Sequence, residues 1–186
     1  ADERVLTVMF VDIVGFTKLC EKRSPRDVVA FLNRYWDELA GHIERHGGVI
    51  DKFIGDAVLA LFGFDDEREG ARRAVEAARD IILGTAQFRH GFDEVPLQIR
   101  IGINTGQLIY GDLGAAKVRR EFTVIGDAVN VAQRLEALAP PSCALVSEAT
   151  ASLLDPVPEW TSSVMASLKG RTSPVRCFVM QAHAER

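Results

Sequence analysis

Val49-Ile50-Asp51-Lys52-Phe53-Ile54-Gly55-Asp56-Ala57-Val58-Leu59-Ala60-Leu61-Phe62 reads as two short apolar strands, Val49–Ile54 and Ala57–Phe62, joined by a tight turn at Gly55-Asp56. The elements on either side arrange themselves around this hairpin. Upstream, residues 5–14 are strand-like, and Ser24-Pro25-Arg26-Asp27 then opens a helix, with Ser24 as cap and Pro25 at the first helical position. Val28, Phe31, Leu32, Tyr35, Leu39 and Ile43 keep helical spacing to about His46, where Gly47-Gly48 stops the helix. Downstream, a second helix is expected from about Glu67 to Phe88, burying Ala74, Ala78, Ile81, Ile82 and Thr85. Residues 97–104 and 106–111 read as another hairpin and Arg119–Ile125 as a further strand; a third helix, capped by Asp127, ends before Pro140-Pro141. The tail adds strands at Cys143–Ser147, 164–168 and 175–180 and a short helix reaching Leu154. The order β-α-β-β-α-β predicts an α+β fold, a ferredoxin-like βαββαβ sheet with appended strands and helices.

Two acidic residues stand where apolar ones are expected. Asp12 interrupts the apolar run of residues 8–14, and a carboxylate there costs several kcal/mol unless it is paired or metal-bound. Asp56 closes the Ile54-Gly55-Asp56 turn. If the hairpin lies beside the first strand, the two carboxylates converge at one edge of a sheet. Such a pair suits Mg²⁺, which takes one or two carboxylates and leaves its other positions for water and phosphate.

Other polar residues fall into patterns around them. Period-two counting puts Lys52 on the face of Ile50 and Ile54, and Asp51 on the opposite face, outside any site. Asn130, in the first turn of the third helix, and Arg134, four residues on, share one face. An amide and a guanidinium projecting together suit an anion. Lys169, in Leu168-Lys169-Gly170-Arg171, follows a strand at a turn from which a cation reaches a phosphate. From Ile13 through Gly15 and Phe16 to Thr17, successive backbone N–H groups are offered to a polyphosphate. Taken singly, each has an ordinary reading too: Lys52 as a snorkelling edge lysine, Arg134 as a surface arginine, Lys169-Gly170-Arg171 as a solvated turn, Gly15 as a turn glycine.

Composition narrows the function classes. With 186 residues, 47% hydrophobic and 26% charged, the chain can bury one sizeable core, so residues 1–186 are expected to form a single domain. The net charge of -4, without a long basic run, argues against a nucleic-acid partner. Cys20, Cys143 and Cys177 are odd in number, widely spaced and lack a CxxC pair, which favours free thiols and a cytoplasmic location. No apolar run approaches the roughly 18 residues of a membrane span, so no membrane contact is expected of this segment. His42, His46, His90 and His183 lack metal-ligand spacing and read as surface residues, and Asp65-Asp66-Glu67 reads as a helix-entry cap. With the first strand starting near residue 5, the domain is expected to be a module excised from a larger regulated protein.

Three segments taken together carry a family resemblance: Phe10-Val-Asp-Ile-Val-Gly-Phe16, Lys52-Phe-Ile-Gly-Asp56, and Thr123-Val-Ile-Gly-Asp-Ala-Val-Asn-Val-Ala-Gln-Arg134. In order and spacing they resemble the class III nucleotidyl cyclase catalytic domain, over nearly the whole chain. The resemblance implies a homodimer with active sites at the interface, each built from both subunits. Asp12 and Asp56 would hold two Mg²⁺ or Mn²⁺ ions, with the Ile13 carbonyl as a further ligand. The partner subunit would supply Lys52 and Thr123 to the base, Asn130 to the ribose and Arg134 to the phosphates in the transition state. Lys169 matches the family's phosphate-binding lysine, and residues 106–120 its dimerisation hairpin.

The pair Lys52/Thr123 resembles the bicarbonate-responsive adenylyl cyclases of the family. The resemblance implies ATP as substrate and bicarbonate as activator; ATP is also chemically sensible, since a lysine donates to adenine N1 and a threonine hydroxyl accepts from the exocyclic amine. Guanylyl cyclases carry glutamate and cysteine at these positions. A diguanylate cyclase is disfavoured because no Gly-Gly-Asp/Glu-Glu-Phe segment occurs, and a catalytically silent relative because both aspartates and the Asn/Arg pair are present.

Overall fold

The computed structural model describes residues 1–89, 91, 92, 96–115 and 119–182. Thirteen elements follow one another among them: β1 (Asp2–Ile13), α1 (Phe16–Cys20), α2 (Pro25–Arg45), β2 (Val49–Ile54), β3 (Ala57–Phe62), α3 (Glu67–Gln87), β4 (Ile99–Ala115), β5 (Arg119–Ile125), α4 (Asp127–Leu138), β6 (Cys143–Ser147), α5 (Glu148–Ala151), β7 (Ser162–Ala166) and β8 (Val175–Gln181). Local chemistry sets the long helices. The Ser24 hydroxyl accepts from the Asp27 N–H at 3.1 Å with Pro25 in the first turn of α2, and Asp66 does the same for Glu69 at 2.8 Å in α3. Gly47, at φ 73°, lets the chain leave α2, and the Gly48 N–H then donates to the Ile43 carbonyl.

The strands form one sheet in the order β2-β3-β1-β4-β6-β8-β7, with β5 paired to β4. Its first four members, all antiparallel, have the ferredoxin-like order expected from the sequence, and the later strands extend it. Both faces are covered, which is why β1 is apolar at successive positions. Met9, Val11 and Ile13 pack with α2 and α3, burying Phe31, Tyr35, Leu39, Ile43, Ala78 and Ile81. Leu6, Val8 and Phe10 face the other way, with Leu59, Leu61, Leu108 and Ala132 of α4. Each such side chain fully removed from water contributes roughly 1.5–3 kcal/mol.

The structure corrects several expectations. Residues 97–104 and 106–111 are not a hairpin: β4 runs unbroken, pairing Thr105, Gly106 and Gln107 with Thr7, Leu6 and Val5. Gly106 is there for closeness rather than for a turn. A Cβ on it would lie 2.9 Å from the Ala128 Cβ, and one on Gly102 would run into the Ala132 carbonyl and the Glu136 nitrogen, so these glycines let α4 lie directly on the strand. The true hairpin is β4–β5, in register from Ile109↔Ile125 to Ala115↔Arg119. Its tip, within the stretch 106–120, lies outside the described residues, as do His90 and His183. Gly126 rather than Asp127 is the N-cap of α4, and the one-turn α1 had no counterpart in the sequence reading. His42 and His46 are not free surface residues. They sit in the seam between α2 and α3, where a His46 ring nitrogen lies 2.7 Å from Asp80 and burial pushes His42 below its usual pKa.

Candidate active site

The antiparallel register of β1 with β3 places the Gly55-Asp56 turn beside the end of β1. Gly55, with φ 60°, takes the left-handed position that a two-residue hairpin requires, and Asp56 follows it. The Ile13 N–H then donates to both carboxylates, at 2.9 Å to Asp12 and 3.1 Å to Asp56. Asp12, Ile13 and Asp56 therefore come together as the sequence suggested. Burial pushes the Asp12 carboxyl up to about 7, aided by Asp56 beside it and, more weakly, by Glu136 of α4. Two carboxylates this close in a half-buried site resist double ionisation, and a hard divalent cation relieves that strain. The donor set, carboxylate oxygens with the Ile13 carbonyl adjacent in the chain, fits Mg²⁺ or Mn²⁺.

Surrounding charges went unnoticed in the sequence. Arg100 stands opposite Asp12 in the β1–β4 register and offsets the burial that raises Glu136. Beneath the pair, Tyr35 is fully buried with a hydroxyl that has no hydrogen-bond partner among the described residues. Burial first, and then the charges of Asp56 and Asp12, push its phenol up. Helical spacing marked Tyr35 only as core.

A second cluster forms where β2 meets β5. The β2–β3 register pairs Ile50 with Ala60 but Lys52 with Leu59, so Asp51 is the extra residue of a bulge. This reverses two expectations. Lys52 shares its face with Leu59 and Ile54, not with Ile50, and Asp51 turns toward the site rather than away. The Thr123 hydroxyl donates to an Asp51 carboxylate oxygen at 2.8 Å, and the Lys52 ammonium lies 3.6 Å from the same oxygen. Lys52 and Thr123, 71 positions apart, thus meet through a residue the alternation rule had excluded. The Asp51 side chain is 2% exposed, against 29% for Lys52.

Register carries Asp12, in phase with Leu6, Val8 and Phe10, and Lys52, opposite Leu59, onto the sheet face that α4 covers. On α4, Asn130 and Arg134 are exposed, while Val131 and Leu135 anchor the helix. Among the described residues, neither Asn130 nor Arg134 bonds to the aspartates or to the Lys52 cluster within this subunit. Lys169 is exposed at the turn after β7, and that turn is tied to the start of α4 by Arg171, which donates to Asp127 at 2.8 Å. Gly15, at φ 67°, opens α1; Phe16 packs against the α2–α3 core and Thr17 is exposed.

Residues 2–182 match the adenylate and guanylate cyclase catalytic domain. The uncharacterized protein Rv1319c of Mycobacterium tuberculosis is 36% identical over 183 residues, covering 96% of this chain and 33% of its own length. The chain thus spans about a third of the curated relatives it matches. Among solved structures, the guanylyl cyclase Cya2 superposes with a TM-score of 0.89 at 32% identity, covering 99% of this chain and 95% of that one. The adenylyl cyclase CyaB from P. aeruginosa does so with 0.88 at 34% identity, covering 98% and 96%.

Proposed function

Because the chain belongs to the adenylate and guanylate cyclase catalytic-domain family, we propose that it is an adenylyl cyclase module, converting ATP to 3′,5′-cyclic AMP and pyrophosphate. The observation that carries the reading is the convergence of Asp12 and Asp56 on the Ile13 N–H, together with a lysine–threonine pair, joined through Asp51, that suits adenine and that the partner subunit would bring to the same site. Asp12, Asp56 and the Ile13 carbonyl hold two Mg²⁺ or Mn²⁺ ions per site, which supply Lewis acidity to the ribose 3′-hydroxyl and to the phosphates. The 3′-oxygen attacks the α-phosphorus in line, forming the cyclic ester as the bond to pyrophosphate breaks; the hydroxyl proton leaves to solvent. No side-chain nucleophile takes part.

The remaining residues position and stabilise. Lys52 donates to adenine N1 and Thr123 accepts from the 6-amine. Asn130 holds the ribose and Arg134 meets charge developing on the phosphates, while Lys169 and the backbone from Gly15 through Phe16 to Thr17 bind the polyphosphate. Two subunits share each site. The exposure of Asn130 and Arg134, which among the described residues make no bond to the aspartates of their own subunit, supports this, as do the exposed Phe122 and Ile125 on β5, 62% and 58% accessible. The domain acts in the cytoplasm or at a membrane's cytoplasmic side as part of a larger regulated protein, and bicarbonate stimulates it, a reading that rests on Lys52 and Thr123 alone. No helix among the described residues is long and apolar enough to cross a membrane.

Chromatographic product analysis tests the reading, with equimolar ATP and GTP and Mg²⁺ or Mn²⁺, with and without bicarbonate at fixed pH. Cyclic AMP as the main product, raised by bicarbonate, supports it. Dominant cyclic GMP overturns the base assignment, and no product from a verified dimer overturns the assignment as an enzyme.

A further inference from the structure

We propose that Asp51 sets the nucleotide preference of this domain by fixing the hydrogen-bonding sense of Thr123 and the position of Lys52. The inference rests on the reading of Lys52 and Thr123 as the base-contacting pair. A threonine hydroxyl is chemically ambiguous, able to donate to the 6-oxygen of guanine or to accept from the 6-amine of adenine. Left free, it rotates to suit either and discriminates poorly. Here its proton is committed. The Thr123 hydroxyl donates to Asp51 at 2.8 Å, and an ionised carboxylate has no proton to give back. Only the lone pairs of Thr123 remain for the base, and they match an amine rather than a carbonyl.

The same carboxylate oxygen lies 3.6 Å from the Lys52 ammonium, so one group orients both members of the pair. Lysine has a long flexible stem, and a fixed counter-charge beside it narrows where its donors point. Adenine N1 accepts such a donor, whereas guanine N1 carries a hydrogen and repels it. At 2% exposure the Asp51 side chain is too enclosed to touch the base, so it is a positioning residue. Its surroundings strengthen its hold: Tyr110, in edge-on contact with Phe122 at 4.7 Å, has its phenol pushed up by burial and then by the Asp51 charge. The enclosure of the Asp51 side chain and of Thr123 itself, 8% exposed, strengthens the charge-assisted bond between them. The bulge at Asp51 is the structural device that makes this possible, since a regular strand would aim the carboxylate at the opposite face.

The test compares Asp51→Asn with the parent protein on three substrates: ATP, GTP and purine riboside triphosphate, which has no exocyclic group at position 6. An amide at position 51 donates to Thr123 and frees its hydroxyl proton for a carbonyl. The expected result is a fall of about tenfold in the ratio of kcat/KM for ATP over GTP, read mainly in KM. Use of purine riboside triphosphate, which keeps N1 but lacks the 6-amine, falls less than use of ATP. Asp51→Ala, which leaves the Thr123 rotor free, lowers the ratio in the same direction. A general loss of structure would depress all three substrates alike, and that outcome overturns the proposal. So does an unchanged ratio in Asp51→Asn when Thr123→Val shifts it. If Thr123→Val and Lys52→Ala also leave the ratio unchanged, the base-pocket reading itself falls.

Discussion

Replacing Asp12 with asparagine should stabilise the metal-free protein while abolishing its activity. The carboxyl of Asp12 is pushed from 3.8 to about 7, by burial first and then by Asp56. A raised acid pKa means that, between about pH 4 and 7, the folded protein keeps a proton that the unfolded chain releases. The stabilisation from that proton is fully present below the unfolded value and is lost as pH rises through 7. At pH 8 the folded protein therefore carries a penalty. Three units at about 1.36 kcal/mol each set a ceiling near 4 kcal/mol, and solvent reaching this half-exposed group screens it to about 1–2 kcal/mol. Asp12→Asn removes the charge and keeps the shape. In urea unfolding with EDTA at pH 8, the variant should gain about 1–2 kcal/mol at unchanged m. The gap should shrink as pH falls toward 4.5. Added Mn²⁺ should raise the midpoint of the parent protein but not of the variant. Turnover should drop at least about a hundredfold, because metal-borne charge stabilisation is worth several kcal/mol. A metal-free variant no more stable than the parent at pH 8, or one whose advantage is the same at pH 4.5, would refute the reasoning.

Two further outcomes are expected. Asp56→Ala and Arg134→Ala should each be inactive as homodimers but regain activity when mixed, because one site in the heterodimer keeps both residues. Absence of recovery in a verified heterodimer speaks against shared sites. Gly102→Ala should cost roughly 1–3 kcal/mol or more in urea unfolding, since the new methyl meets the α4 backbone at Ala132 and Glu136. It should also lower kcat, because Asn130 and Arg134 ride on that helix; a variant with parental stability would show that α4 is free to lift from β4.

Much of this was legible in the one-dimensional pattern. The caps at Ser24 and Asp66, the glycines after α2 and the apolar spacing of α2 and α3 act over a few residues, and their elements came out within a residue or two. The convergence of Asp12 and Asp56 followed once a hairpin was set beside β1. The failures share a cause. Thr105-Gly106 looked like a break because glycine serves turns, yet its role is a close approach by α4, invisible until the helix is in place. Asp51 was discarded by a strict alternation that one bulge overturns.

What the sequence determined by itself is the β-α-β-β-α-β order of the core, the two-faced apolar sheet and the identity of the chemical groups, because propensity, capping and periodicity are local properties. What only the tertiary structure decided is which of those groups meet: Thr123 with Asp51 and Lys52, and Glu136 and Arg100 near Asp12, while Asn130 and Arg134 stay exposed on α4. Those meetings depend on strand register, on a bulge and on how close a helix can come to a strand. Such quantities are fixed by packing between segments far apart in the chain, and no local pattern encodes them.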